Sequence, residues 1–127
     1  MALSAGFADF LRDVLSGVGD ISIRKMFGGA GVYLHGVMFA LVADDTLYLR
    51  ADEASAPEFA AEGKGPFTYA AKGRAPITMQ YWELPERLYD EPDELARWAW
   101  RAHAIAAAAK PAARPRAARK RAGSGFR

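Results

Sequence analysis

Side chains able to do chemistry are few in this chain and scattered along it. There is no cysteine, which removes thiolate nucleophiles, thiolate metal ligands and disulfides and fits a reducing cytoplasm. The two histidines, His35 and His103, lie far apart. His35 adjoins Gly36 in a turn, His103 has no acid three or four residues away, and no His-His or His-x-x-Glu spacing offers a metal face. The carboxylate pairs Asp44-Asp45 and Asp52-Glu53, and the run Asp90 to Glu94, fall at turns or helix starts, where caps and helix dipoles account for them. None of Ser4, Ser16, Ser22, Ser55 or Ser124 sits in a nucleophile elbow. The glycines Gly28, Gly29 and Gly31 have neither the dinucleotide nor the Walker spacing, and read as a turn or bulge with positive φ. The expectation is a protein that is not an enzyme, with no cofactor and no metal site.

Partner chemistry is plainer. Residues 110–127 carry Lys110, Arg114, Arg116, Arg119, Lys120, Arg121 and Arg127 and no acid. Removing those seven cations leaves ten basic against fifteen acidic residues in 1–109, a net of −5, beneath an overall charge of +2. Seven cations diluted by alanine and proline suit sequence-independent, salt-sensitive binding of DNA phosphate. The segment has no aromatic residue before Phe126, so base stacking is not indicated there. With its Pro, Ala and Gly content it cannot supply a core, and it reads as a disordered tail. A second surface is suggested by large side chains off the expected core faces. Trp100 and His103 lie three apart on the last helix, away from its Leu95–Trp98 face. Phe39 and Leu41 lie in the run Val37 to Val42, which is apolar at nearly every position where a half-solvated strand should alternate. Phe39, Leu41, Trp100 and His103 are therefore the expected protein interface, for a partner or for a homodimer. Packing of Trp100 against the first helix is the alternative.

These residues need elements to hold them. Phe7, Phe10, Leu11, Val14 and Leu15 recur at helical spacing, predicting a helix over 3–16 capped by Ser4. Ile21 and Ile23 alternate in a strand over 21–26, which the glycines then break. Strands follow at 31–35, 37–43 and 46–50, separated by the turn pairs His35-Gly36 and Asp44-Asp45. A short helix over 53–62 is expected, capped by Asp52, with its start blurred by Pro57. Strands at 67–70 and 77–82 form a second hairpin. Pro85 and Glu86 begin a helical turn, and Pro92 with its flanking acids starts a helix running to Ala109. The fold class is α+β with two layers: an antiparallel sheet of five or six strands, with the N- and C-terminal helices packed on one face. One domain, 1–109, precedes the tail. No stretch approaches the ~20 apolar residues of a membrane span, and the first six residues lack the pattern of a secretion signal.

Several ordered words carry a resemblance. Arg-Lys-Met-Phe-Gly-Gly at 24–29, Met-Phe-Ala-Leu-Val-Ala-Asp at 38–44, Leu-Tyr-Leu-Arg-Ala-Asp at 47–52, Pro-Phe-Thr-Tyr at 66–69 and Tyr-Trp-Glu-Leu-Pro-Glu at 81–86 resemble the N-terminal domain of the TfoX and Sxy competence regulators. The resemblance covers roughly residues 5–106. It implies a two-layer domain and a role as transcriptional coactivator of competence genes, working with the cAMP receptor protein, in the cytoplasm. It supplies no catalytic residues. Full-length regulators of this family carry a second, helical domain where this chain has the basic segment. Two functions stand beside each other: a DNA-associated adaptor whose folded part binds protein and whose tail binds phosphate, and a self-associating protein-interaction module with no DNA role.

Overall fold

The centre of the chain is a meander closed by two tight turns. His35 and Gly36 have φ of 53° and 77°, and Asp44 and Asp45 both have φ of 52°. Two successive positive φ values match the right-handed twist of paired strands, the turn type that joins hairpins with two-residue loops. The computed structural model describes residues 4–26, 29–70 and 73–109. Helix α1 (Ala5–Val14) leads into β1 (Ser22–Met26), β2 (Gly29–Leu34), β3 (Val37–Ala43) and β4 (Thr46–Arg50). Helix α2 (Ala56–Ala61), β5 (Pro66–Tyr69), β6 (Ile77–Glu83), a 3-10 turn (Glu86–Asp90) and α3 (Pro92–Ala109) complete it. The six strands form one antiparallel sheet in the order β1-β2-β3-β4-β6-β5. The two-layer α+β architecture expected from the sequence is the one observed.

One irregularity decides how the sheet presents its side chains. Val32 pairs with Ala40 but the next residue, Tyr33, pairs with Met38, so Phe39 is an extra residue in β3. A bulge of this kind puts two consecutive side chains on one side of the sheet. Val37, Phe39, Ala40 and Val42 thus all face the helices, and Phe39, Ala40 and Val42 are buried there. The bulge therefore sends most of the apolar run at 37–42 to the helix face, while Leu41 is buried on the opposite face.

The helices cover that face. Leu11 of α1, Leu15 at its C-cap and Leu95, Trp98, Ala99, Ala102 and Ala106 of α3 join Val32, Leu34, Leu47 and Leu49 in one core. Phe59 of α2 lies 4.9 Å from the Trp98 ring and 6.2 Å from that of Trp82. Ser4 caps α1 by accepting the Phe7 amide proton at 3.1 Å. The short helix starts later than expected. Asp52 and Ser55 exchange hydrogen bonds, the Ser55 amide donating to Asp52 Oδ1 at 2.8 Å and the Asp52 amide to Ser55 Oγ at 3.0 Å. That closed turn uses up residues 52–55, and Pro57 then falls in the first helical turn. Gly29 and Gly31 also depart from expectation. They lie inside β2 rather than breaking a strand, and neither has positive φ; Gly28 lies outside the described residues. A Cβ on Gly29 would run into the Val42 carbonyl, and one on Gly31 would come within 2.7 Å of Met38 Sδ. Close approach, not turn geometry, requires glycine here.

Candidate interaction surfaces

The outer side of α3 meets the β2–β3 turn in a small aromatic cluster. His103 Nε2 lies 2.9 Å from the Leu34 carbonyl oxygen. A carbonyl only accepts, so Nε2 carries the proton and donates. The His103 ring stands edge-on to Trp100 at 5.4 Å and to His35 at 5.8 Å, and Trp100 lies 6.2 Å from His35. The two histidines are therefore neighbours, which the separation in sequence concealed. Trp100 is 42% exposed and packs on this pair rather than under α1. Of the four expected interface residues, Trp100 and His103 sit together here, with the buried Phe39 ring 6.3 Å from His103 on its inner side. Phe39 belongs to the core and has no free surface. Leu41 is on the other side of the sheet, also buried. Among the described residues no group of three or more His, Asp or Glu could hold a metal ion.

The face of the sheet turned away from the helices is the second surface. Pairing and alternation place Arg24, Tyr33, Met38, Leu41, Tyr48, Arg50, Tyr81 and Glu83 on it. None of these belongs to the main core. Phe67 joins them, 5.1 Å from Tyr48 and 5.9 Å from Tyr69, which is 43% exposed. The Arg24 guanidinium lies 4.9 Å from the Tyr33 ring centre, and that of Arg50 lies 5.7 Å from the Tyr81 ring centre. Burial raises the Tyr48 and Tyr81 hydroxyl pKa values above the ordinary tyrosine range. At one end of this face, Met38, Arg50 and Tyr81 line an open hollow with Gly36 and with Ala106 and Ala109 of α3. Of this face, sequence reasoning named Leu41 alone as an interface residue. The signal was present in β4, where Leu47 and Leu49 alternate with Tyr48 and Arg50.

Charge is distributed unevenly between the layers. Arg87 in the 3-10 turn binds Glu62 at the C-cap of α2 at 2.6 Å, Glu94 of α3 at 2.9 Å and Glu91 at 3.2 Å. Hydrogen bonds from Arg87 hold the Glu94 carboxyl well below the usual range, at about 2, and also lower Glu62. Arg101 pairs with Glu58 at 2.7 Å. The strands, by contrast, contain one acid among the described residues, Glu83, which Lys64 meets at 3.5 Å. The expected tail residues Lys110, Arg114, Arg116, Arg119, Lys120 and Arg121 lie outside the described residues.

A two-layer domain of this order, with six strands under three helices, is matched by a family model. The TfoX N-terminal domain model fits residues 13–106, and the chain belongs to that family. It is similar to Protein Sxy of Escherichia coli (strain K12), 33% identical over 86 residues, which is 68% of this chain. Those residues cover 41% of the relative's own length. Among the described residues no helix is long and apolar enough to cross a membrane.

Proposed function

We propose that the chain is a non-enzymatic regulatory protein, acting in the cytoplasm like a transcriptional coactivator of competence genes. Its folded part docks on a protein partner, a transcription factor such as the cAMP receptor protein, and residues 110–127 hold DNA phosphate without sequence preference. Membership of the TfoX N-terminal domain family carries this reading. The exposed Trp100, braced by His35 and His103, supports the docking half, because a large aromatic anchored on one side and open on the other suits an interface hot spot. The test is capture of partners from a lysate with and without nuclease, using the full chain and Trp100→Ala. A partner that survives nuclease and is lost with Trp100→Ala supports protein docking. Capture that disappears with nuclease in both chains overturns it.

The exposure of Trp100 also favours a second reading, a self-associating module with no DNA role. Light scattering at high concentration separates the two. A dimer dispersed by Trp100→Ala, together with no DNA affinity at low salt, would establish the second.

A further inference from the structure

The open face of the sheet joins three properties that seldom coincide on a surface needed only for folding. Tyr33 of β2, Tyr48 of β4 and Phe67 and Tyr69 of β5 offer ring surface on this one face, half-buried or exposed. Arg24 and Arg50 lie against rings of the same face, and neither forms an ion pair among the described residues. Arg50 Nε is buried without a hydrogen-bond partner among them. The one acid of the strands, Glu83, lies on this face opposite Tyr48 and is engaged by Lys64. Of the arginines on the helical layer, Arg12, Arg87 and Arg101 each have a carboxylate, and Arg97 of α3 has none among the described residues.

We infer that this face is a binding surface for single-stranded nucleic acid. Aromatic rings on a sheet stack successive bases, and guanidinium groups free of carboxylates hold the phosphates between them and add cation–π contact. Duplex DNA cannot use the rings, because its bases are already stacked and paired. The chain's own residues 110–127 are a poor occupant, since seven cations would approach unpaired arginines. A second copy placed face to face would oppose the same arginines across a two-fold axis. Position adds to the argument. Ala109, which precedes the basic segment in sequence, lines the same hollow as Arg50 and Tyr81. This second site goes beyond the tail reading and does not depend on it.

The experiment uses the full chain and fluorescence anisotropy with labelled 20-nucleotide oligothymidine and a 20-base-pair duplex, at low salt and at 0.5 M salt. The expected result is tighter binding of oligothymidine, with a part that survives 0.5 M salt while duplex binding vanishes. Tyr69→Ala, at an exposed edge position, and Tyr48→Ala should each weaken oligothymidine about fivefold or more, the scale of one lost base stack. Arg24→Glu should weaken it without unfolding the sheet, as read by circular dichroism. Neutralising the cations of 110–127 to glutamine should remove duplex binding and leave the salt-resistant part for oligothymidine. Equal affinity for both nucleic acids, unchanged by Tyr69→Ala and Arg24→Glu, would overturn the inference and leave the tail as the source. A dimer lost on Tyr69→Ala, with no salt-resistant oligothymidine binding, would assign the face to a second copy instead.

Discussion

Two glycines two residues apart in β2 show how a single Cβ can matter for different reasons. At Gly29 the added atom meets backbone, the Val42 carbonyl, and only a shift of β3 relieves it. At Gly31 it meets only side chains, the flexible Met38 Sδ at 2.7 Å and the Tyr33 ring at 3.0 Å. Gly29→Ala should therefore destabilise by about 1–3 kcal/mol, in the range of overpacked cores, and Gly31→Ala by clearly less, both read by chemical denaturation. Equal effects would refute the backbone argument. Glu94 makes a second residue-scale case. Its carboxyl is held at about 2, against an ordinary value of 4.5, chiefly by hydrogen bonds from Arg87. A depressed folded pKa adds stability above the unfolded value and loses it as pH falls through the folded one. The Arg87 cluster should thus weaken between about pH 4.5 and pH 2, modestly, because these groups are exposed and screened by salt. Arg87→Gln should flatten the acid side of the stability profile across that window.

At the scale of elements, the bulge in β3 explains both a success and an error in reading the sequence. The strand bounds 37–43 and 46–50 were legible, because the turn pairs His35-Gly36 and Asp44-Asp45 punctuate the chain and each adopts positive φ. The bounds of α3 were legible from Pro92 and its acids. What alternation could not show was the extra residue at Phe39, since a bulge leaves no mark in an apolar run. It sends Phe39 to the helix face beside Ala40, where strict alternation would have put the two on opposite faces. The contact of His35 with His103 was hidden for a different reason: it depends on where α3 crosses the sheet, a tertiary fact with no local pattern. The open aromatic face was half legible, in the alternation of β4, but needed the pairing of β4 with β6 to bring Tyr48 near Phe67. The bulge also makes a prediction. Phe39 is fully buried, with the His103 ring beside it, so Phe39→Ala should cost about 3–5 kcal/mol as a core cavity. The same substitution at Trp100, 42% exposed, should change stability little. A stability loss at Trp100 as large as at Phe39 would show that the α3 patch serves folding and not docking.

At the scale of the whole molecule, charge is segregated. Residues 1–109 carry a net of −5 and residues 110–127 seven cations, so the two parts respond to salt in opposite senses when a polyanion is near. Duplex DNA should be repelled by the acidic helical layer, where Arg87 and Arg101 are already paired, and attracted by the basic segment. The affinity of the full chain for duplex then arises from counterion release by those cations. Seven phosphate contacts give a log–log salt slope on the order of −6. Measured by anisotropy against salt concentration, the slope should be near that value and independent of sequence, and replacing the seven cations by glutamine should abolish duplex binding. Retention of duplex affinity by that variant, or a slope near zero in the unaltered chain, would mean that the helical layer itself contacts DNA and that the division of labour proposed for the two parts is wrong.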